Sequence, residues 1–378
     1  MSTYIKAYLG TTPLFTDTSG AELIKNGLGT LNLSAANTYS GGTTINNGIV
    51  TTSIATGLGT GTVAVNGGAL TINYGAFAFT FTNNLTGNGT VNLTAANAGV
   101  TTVPVFRPVS MSGFNGTVTM DTGFNNIFYQ INPNSGSTFD GSSAKWVVNN
   151  QNANSFVYTT ASLVKYGELS GNGKVSAANT NTTLEVGALG TNSTFSGILL
   201  NNTFGGTLAF TKVGNGTLTL TGNNTYTGAT TINAGTLEIG AAGLLGGGTY
   251  AGAITNNGTF IFGANANQTL SGVISGSGGL TKQGSGTLVL NGANTFTGAT
   301  AISAGLIQVA KAVGGITGTA TYSPTSLTVD FANVTPTSGA AYRFLPGSTA
   351  TTGLTISLTN AGGKTGTYDY SNSTLTIV

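Results

Sequence analysis

Short runs of alternating apolar and polar residues recur along the whole chain. In Leu218–Leu220 and Leu237–Ile239 the apolar side chains fall two residues apart, with Thr or Glu between them. This period of two is that of a β-strand with one buried face. Gly and Asn interrupt the runs, and both residues tolerate the positive φ of a sharp turn. The pattern therefore predicts short strands joined by tight turns almost throughout.

One long segment occurs three times, at Leu23–Val50, Phe210–Gly240 and Leu280–Ala310. Its shared frame is K-x-G-x-G-T-L-x-L, followed by N-T-[YF]-[ST]-G-x-T-x-I and a final Gly before alternating apolar residues. Recurrence of this kind is the sequence signature of a repeat architecture. Weaker copies begin at Asn83, Glu168 and Leu270.

The distance between matching strands predicts a β-solenoid. Leu237 follows Leu218 at an interval of 19 along the sequence, and Ile307 follows Leu288 at the same interval. This interval is too long for a hairpin and suits one rung of a coil whose backbone groups pair with the rungs above and below. Stability then comes from contacts between neighbouring rungs. The Asn of the N-T-[YF] step is expected at a corner, stacked on Asn residues of neighbouring rungs.

The string Ser271–Gly305 resembles the autotransporter passenger-associated strand repeat of bacterial surface proteins, and the copies at Leu23 and Phe210 follow the same pattern. The resemblance implies an all-β fold, a right-handed parallel β-helix. It does not by itself define a function, because one fold serves many functions.

The repeats divide the chain into three predicted parts. Residues 1–22 form an N-terminal anchor or cap, residues 23–318 the β-helix, and residues 319–378 a β-rich C-terminal capping segment. Within the β-helix, residues from about 100 to 166 leave the repeat frame and are read as irregular or longer rungs. This block is rich in aromatic residues, which either form a contact surface for sugars or another subunit, or fill an inward core column. The candidate binding residues are Phe114, Phe124, Phe128, Tyr129 and Trp146.

Charge and composition exclude several classes of partner. Only 5% of residues are charged and the formal net charge is +2, so no basic surface for nucleic acid or an anionic membrane is predicted. No stretch of about twenty apolar residues occurs, and the N-terminus lacks the apolar core and cleavage site of a secretory leader. We therefore expect neither membrane insertion nor export through a leader. Cys is absent, which leaves the redox compartment open.

The chain contains no His, which removes the commonest general base and metal ligand. Four of its nine carboxylates, two pairs at spacings of about one rung, are the only catalytic candidates: Asp121 with Asp140, and Glu168 with Glu185. Stacked in pairs, they would suit a polysaccharide depolymerase, whose two carboxyls lie about 5 to 9.5 Å apart. Solvated strand residues are the alternative. We expect no enzymatic activity, no metal site and no cofactor.

The segment Tyr4–Phe15, YIKAYLGTTPLF, resembles the short leader of many phage virion proteins. With the strand repeats, it favours a structural extracellular scaffold located in a virion, as a fibre, spike or capsid decoration protein. The expected partners are other virion or fibre subunits, a homo-oligomer among them, and a host-surface glycan or receptor. The alternative is a bacterial surface adhesin or a self-assembling extracellular filament subunit, located outside the cell or on its surface.

Overall fold

The computed structural model of the chain consists of short β-strands with almost no helix. It describes residues 20–74, 80–95, 105–122, 128–132, 138–150, 156–177, 181–201 and 205–309, and six further strands between residues 320 and 377. Within this part of the chain a single short 3-10 turn spans Gly246–Gly248. The all-β class predicted from the sequence is confirmed.

The strands are, in chain order, β1 (Glu22–Lys25), β2 (Thr30–Leu33), β3 (Gly42–Ile45), β4 (Ile49–Thr52), β5 (Val63–Val65), β6 (Ala69–Tyr74), β7 (Thr80–Phe81), β8 (Leu85–Gly87), β9 (Thr90–Ala95), β10 (Val105–Phe106), β11 (Gly113–Phe114), β12 (Thr117–Thr122), β13 (Phe128–Ile131), β14 (Thr138–Asn150), β15 (Phe156–Thr159), β16 (Leu163–Ser170), β17 (Lys174–Ala177), β18 (Thr182–Val186), β19 (Ser193–Phe195), β20 (Ile198–Leu200), β21 (Leu208–Lys212), β22 (Thr217–Leu220), β23 (Thr230–Ile232), β24 (Thr236–Ile239), β25 (Thr249–Tyr250), β26 (Ile254–Asn256), β27 (Thr259–Phe262), β28 (Gln268–Leu270), β29 (Ile274–Ser275), β30 (Gly279–Lys282), β31 (Thr287–Leu290), β32 (Thr300–Ile302), β33 (Leu306–Val309), β34 (Ala320–Tyr322), β35 (Ser326–Asp330), β36 (Ala341–Arg343), β37 (Thr355–Thr359), β38 (Gly366–Asp369) and β39 (Thr374–Ile377).

The chain divides into two compact units, one of residues 1–184 and 202–206, the other of residues 185–201 and 207–378. In the first unit the strands form three parallel sheets, ordered β1-β3-β5-β8-β11, β2-β4-β6-β9-β12-β14-β16 and β7-β10-β13-β15-β17. Neighbours in a sheet come from successive turns of the chain, as where Glu22 pairs with Gly42. The first unit is thus a parallel β-solenoid.

The second unit repeats this arrangement. Its parallel sheets contain the strand orders β19-β22-β24-β27-β30-β32-β34, β21-β23-β26-β29 and β25-β28-β31-β33-β35-β37. Leu218 pairs with Leu237, and Leu288 pairs with Ile307, which are the partners that the repeat interval predicts. The predicted parallel solenoid is therefore confirmed, whereas its handedness stays a prediction.

Parallel pairing continues beyond residue 318, since Ile302 pairs with Tyr322 and Leu327 with Ile356. Strands β36, β38 and β39 instead form an antiparallel sheet. The predicted boundaries of the capping segments stay predictions, and residues 1–19 lie outside the described residues.

The core of the first unit is a column of inward side chains, one from each rung. Val50 pairs with Leu70, Leu70 with Val91, Val91 with Val118, and Val118 with Trp146. All five are fully buried. Because every rung adds a similar apolar layer, the column continues for as long as the alternating pattern does.

The rungs lengthen in the aromatic block. Thr117 follows its ladder partner Thr90 at a sequence interval of 27, and Lys145 follows Thr117 at an interval of 28. Strand β14 is also unusually long, with 13 residues and a shift of register between Gly141 and Lys145.

The corner Asn residues differ from the prediction. Asn37 donates through Nδ2 to the Gly57 carbonyl at 2.7 Å, and Asn294 accepts from the Ile274 N–H at 2.8 Å. These buried amides bond to the backbone of the adjacent rung, not to each other. An Asn ladder exists at another turn, where Asn46 Nδ2 donates to Asn26 Oδ1 at 2.7 Å.

Next to this corner, an aromatic hydroxyl bonds to the Thr four residues later. Tyr39 and Thr43 are joined at 2.7 Å, and Tyr226 and Thr230 at 2.8 Å. In the third copy the aromatic residue is Phe296, and the buried Thr300 Oγ1 has no hydrogen-bond partner.

We expect Phe296→Tyr to raise the free energy of unfolding by about 1 kcal/mol, because the new hydroxyl would satisfy Thr300. Thr300→Val should also be stabilising, since it removes the unsatisfied group. Tyr39→Phe is the matched control and should cost about 1 kcal/mol. Urea unfolding of the three variants checks the prediction, and a destabilised Phe296→Tyr would contradict it.

Candidate functional site

An open cleft of about 350 Å³ lies on the lengthened rungs of the first unit. The chain before β11 forms one wall and the first half of β14 the other. Its walls carry hydroxyl groups and a carboxylate between apolar side chains. The lining residues are Pro108, Val109, Ser110, Met111, Ser112, Thr138, Phe139, Asp140, Ser142 and Ser143.

Local hydrogen bonds hold the polar wall in place. The Asp140 carboxylate is exposed and accepts the Ser142 N–H at 3.0 Å. Ser143 Oγ donates to the Phe114 carbonyl at 2.9 Å, and the Ser110 and Ser112 hydroxyls lie 3.0 Å apart. The cleft thus presents one carboxylate and several hydroxyls, a set that can hydrogen-bond a polyhydroxyl ligand.

A buried aromatic cluster supports the floor of this wall. Trp146 stacks on Tyr166 at 4.4 Å between ring centroids, and Phe139 meets it edge-on at 5.6 Å. The Trp146 Nε1–H donates to the Gly141 carbonyl at 2.9 Å. A Cβ at Gly141 would lie only 2.4 Å from Trp146 Cζ2, so the chain turns here directly over the indole ring.

Two of the candidate contact residues belong to this core. Trp146 and Phe114 are fully buried, which corresponds to the inward core column that the sequence left open as the alternative. Phe124 lies outside the described residues. Phe128 and Tyr129 lie in β13, and their role as contact residues stays a prediction.

Asp121 and Asp140 do not lie beside each other on neighbouring rungs, as their spacing would allow. Asp121 pairs with Asn149 in the next rung, whereas Asp140 pairs with Lys165. Along the strand direction, these two ladder positions are about seven residues apart, which is a distance on the order of 20 Å between Asp121 and Asp140. This is too far for a glycosidase pair. The long rung causes the error, because it inserts residues between the two acids.

The other two acids lie on outward faces of strands. Glu168 forms an ion pair with Lys145 at 3.6 Å. Glu185 occupies an outward, half-buried position of β18 and belongs to the second unit, whereas Glu168 belongs to the first. The described residues contain no group of three or more Asp or Glu that would hold a metal ion.

Sequence reasoning missed a second polar feature, the Lys that opens each strong repeat. Lys212 Nζ donates to the carbonyls of Val213 and Gly214, at 2.6 and 2.8 Å. Lys282 donates in the same way to Gln283 and Gly284, the latter at 2.8 Å. Each ammonium also contacts a carbonyl of the next rung, at 3.5 Å. The sequence did contain a signal for this feature. The Lys stands at an inward strand position, where the alternating pattern predicts an apolar residue.

These lysine clamps are buried, with Lys212 1% and Lys282 0% exposed. Burial lowers the pKa of both ammonium groups from 10.5 to about 8, because it penalises the charged form. Lys25 makes the corresponding contacts in the first copy, with Nζ donating to Gly27 and, at 3.3 Å, to Asn47, but it is only half-buried there.

The lowered pKa makes stability depend on pH. Between pH 8 and 10 the unfolded chain keeps these amines protonated while the folded chain releases the protons, so the free energy of unfolding should rise with pH. Above pH 10 buried tyrosines act oppositely, because burial raises the pKa of Tyr250 from 10.0 to about 12. NMR titration of the lysine Cε signals should show two lysines titrating near pH 8, and urea midpoints across the window check the sign. A midpoint that falls from pH 8 to 10 would contradict the prediction.

Comparison with known proteins shows that parts of this chain are similar to a known repeat family. Residues 23–51, 210–239 and 280–309 match the model of the passenger-associated-transport-repeat. Three segments of the chain are thus similar to this repeat. They are the three strong copies recognised from the sequence, so that resemblance is confirmed, and each contains one lysine clamp.

A relative in the same class was also found. Over 295 residues, 66% of this chain, the sequence is 30% identical to the adhesin BmaC autotransporter of Brucella suis biovar 1 (strain 1330). The match covers 8% of that protein, so the chain is similar to a small part of a much longer adhesin. The resemblance of residues 4–15 to phage virion proteins receives no support from these matches. No helix in the described part of the chain is long and apolar enough to cross a membrane.

Proposed function

We propose that this chain is a module of a bacterial cell-surface adhesin, in which the β-solenoid units form a scaffold that presents a contact site. The observation that carries the proposal is the agreement of the three passenger repeats with the similarity to an autotransporter adhesin. The virion location favoured by the sequence lacks such support, so the extracellular or cell-surface alternative is preferred.

The surface chemistry fits a scaffold. Outward strand positions carry mostly Thr, Asn and Ser, while inward positions carry apolar residues, so the outer surface is hydrated with almost no net charge. Such a surface has little long-range electrostatic attraction for non-specific partners. Contact with a target then depends on local features, and the Asp140 cleft is one of them.

We place the contact with a host-surface glycan in this cleft. Hydroxyls of Ser110, Ser112 and Ser142 can donate or accept, and the exposed Asp140 carboxylate can accept two sugar hydroxyls. Val109 is 52% exposed at the rim and offers an apolar contact for the carbon face of a sugar ring. The role is binding without catalysis, because the second predicted acid lies too far away.

Display on cells tests the proposal. The chain is fused to an outer-membrane translocator in a non-adherent bacterium, and adhesion to host cells and to a glycan array is compared with that of cells that carry the translocator alone. We expect displayed chain to confer adhesion. Adhesion equal to that of the control, with the chain verified on the surface, would overturn the adhesin function.

Two variants separate the cleft from the scaffold. Asp140→Asn removes a charged acceptor worth about 1.5 kcal/mol, so we expect about tenfold weaker binding. Glu185→Gln is the matched control, since it removes one outward carboxylate in the other unit, and should bind normally. Adhesion that persists unchanged in Asp140→Asn would retain the adhesin function and reject the cleft as its site.

A further inference from the structure

The wall of the cleft that β14 forms uses its hydrogen-bond donors within the protein and keeps its acceptors for a ligand. Ser143 Oγ donates its one proton to the Phe114 carbonyl at 2.9 Å, so its lone pairs are what remains for a ligand. The Ser142 N–H is bonded to Asp140 Oδ1 at 3.0 Å, which leaves Asp140 Oδ2 as an acceptor. This wall therefore presents a hydroxyl oxygen and a carboxylate oxygen that can accept but not donate.

The opposite wall does not balance these acceptors. The Ser112 N–H donates to Ser110 Oγ at 3.2 Å, and the two hydroxyls lie 3.0 Å apart, so one hydroxyl proton bonds to the other oxygen. The hydroxyls of Thr138 and Ser142 can donate or accept and suit either kind of partner. No side chain that lines the cleft can only donate, since the lining contains no Lys, Arg or Trp.

The lining also has a negative charge. Asp140 is the one charged residue among those that line the cleft, and its carboxylate is exposed. Lys145 is close in sequence, but its ammonium forms an ion pair with Glu168 at 3.6 Å. Lys165 is the ladder partner of Asp140 and does not line the cleft. A ligand in the cleft therefore meets an excess of acceptors together with a negative charge.

We propose that the cleft recognises a protonated amino group, so that the ligand class is a glycan with free amino sugars. The inference rests on the proposed adhesin function and specifies the ligand of the same site. An ammonium group has three donors, no acceptor and one positive charge, which is the complement of the lining. Its N–H groups suit the Asp140 carboxylate and the lone pairs of Ser143 Oγ.

Other sugar substituents fit this lining less well. A hydroxyl has one proton and two lone pairs that need donors, and the carbonyl of an N-acetyl group or the carboxylate of a uronic acid can only accept. The carboxylate is also repelled by Asp140. A hydrogen bond between an ammonium and a carboxylate is about twice as strong as one between neutral groups. The volume of about 350 Å³ lies near the lower end for small-ligand sites, which suits a single sugar unit.

Two matched ligands test the proposal on the full chain. Isothermal titration calorimetry compares an oligomer of glucosamine with the same oligomer after complete N-acetylation, which removes the charge and two of the three N–H donors. We expect the amine form to bind about tenfold more tightly, and Asp140→Asn to bind the two forms equally. Glu185→Gln is the control variant and should keep the preference. Added salt should reduce the preference, because the cleft is open to solvent.

The outcomes separate this inference from the adhesin function. Equal binding of the two oligomers by the wild type, or a preference for the amine form that persists in Asp140→Asn, overturns the amino-sugar inference. Binding of neither oligomer by a chain that still confers adhesion when displayed on cells overturns it as well and retains the adhesin function. A displayed chain that confers no adhesion overturns the adhesin function itself.

Discussion

Replacing Trp146 by Ala should lower the free energy of unfolding by about 4 kcal/mol, the cost of emptying a large aromatic site in a packed core. The indole is fully buried, stacks on Tyr166 and donates to the Gly141 carbonyl. Its loss removes both the ring contacts and the support of the turn that carries Asp140. We therefore expect weaker ligand binding in the cleft as well as lower stability.

Trp146→Phe is the matched control. It keeps an aromatic ring but removes the N–H donor, so it should cost about 1–2 kcal/mol, most of it from the unsatisfied carbonyl. Trp146 is the only Trp in the chain, so its fluorescence reports local unfolding of the wild type directly. Urea unfolding followed by circular dichroism measures the variants, and equal stability of Trp146→Ala and wild type would show that the ring is not part of the core.

Replacing Lys282 by Met should lower the free energy of unfolding by about 3 kcal/mol, since Met keeps the apolar stem but leaves the turn carbonyls without their donor. The ammonium also lies 5.4 Å from the centroid of the Phe262 ring, a cation–π contact that Met cannot make. Lys212→Met should behave similarly. Both changes should open the turn at which neighbouring rungs meet.

Lys25→Met is the control for the clamp, because the same residue of the same motif is only half-buried in the first copy, where its hydrogen bonds are exposed to solvent. We expect it to change stability by less than about 0.5 kcal/mol. A repeat protein can unfold in several transitions, so global unfolding alone does not show where stability is lost. Hydrogen exchange of the amides around each turn gives that location. Comparable losses in Lys25→Met and Lys282→Met would mean that burial does not govern the strength of the clamp.

The lysine clamps also explain why a cation recurs in a chain that is otherwise nearly uncharged. A β-solenoid concentrates backbone carbonyls at its turns, where the regular ladder is interrupted and some acceptors lose their partners. One ammonium with three donors can satisfy acceptors from two rungs at once. Neutral side chains with fewer donors, such as Ser or Asn, would satisfy fewer of them.

Sequence reasoning identified the repeats and their register in regular regions. Leu218 pairs with Leu237 because a rung of constant length returns each residue to the same place, so the interval between matching residues is the register itself. The same reasoning failed for Asp121 and Asp140. Their interval in the sequence resembles one regular rung, but the rung at that level is longer, since Thr117 pairs with Lys145, and the acids are separated along the ladder.

The aromatic block shows a second limit of the same reasoning. Composition left two alternatives for Phe114 and Trp146, an exposed contact surface or the buried core. The direction in which each side chain points decides between these alternatives. The register shift in β14 between Gly141 and Lys145 changes that direction partway along the strand. A bulge of this kind leaves no clear mark in an alternating pattern, because it is defined by the partner strand.

By itself, the amino-acid sequence determined the all-β class, the solenoid and the strong repeats. Alternation and spacing are local properties of the sequence, and rungs of equal length stack in the same way at every level. The tertiary structure decided which residues meet across rungs of unequal length: it buried the two aromatic residues, separated the acids and placed Asp140 in a cleft. These outcomes depend on ladder register and on contacts between residues distant in the chain, which no local pattern specifies.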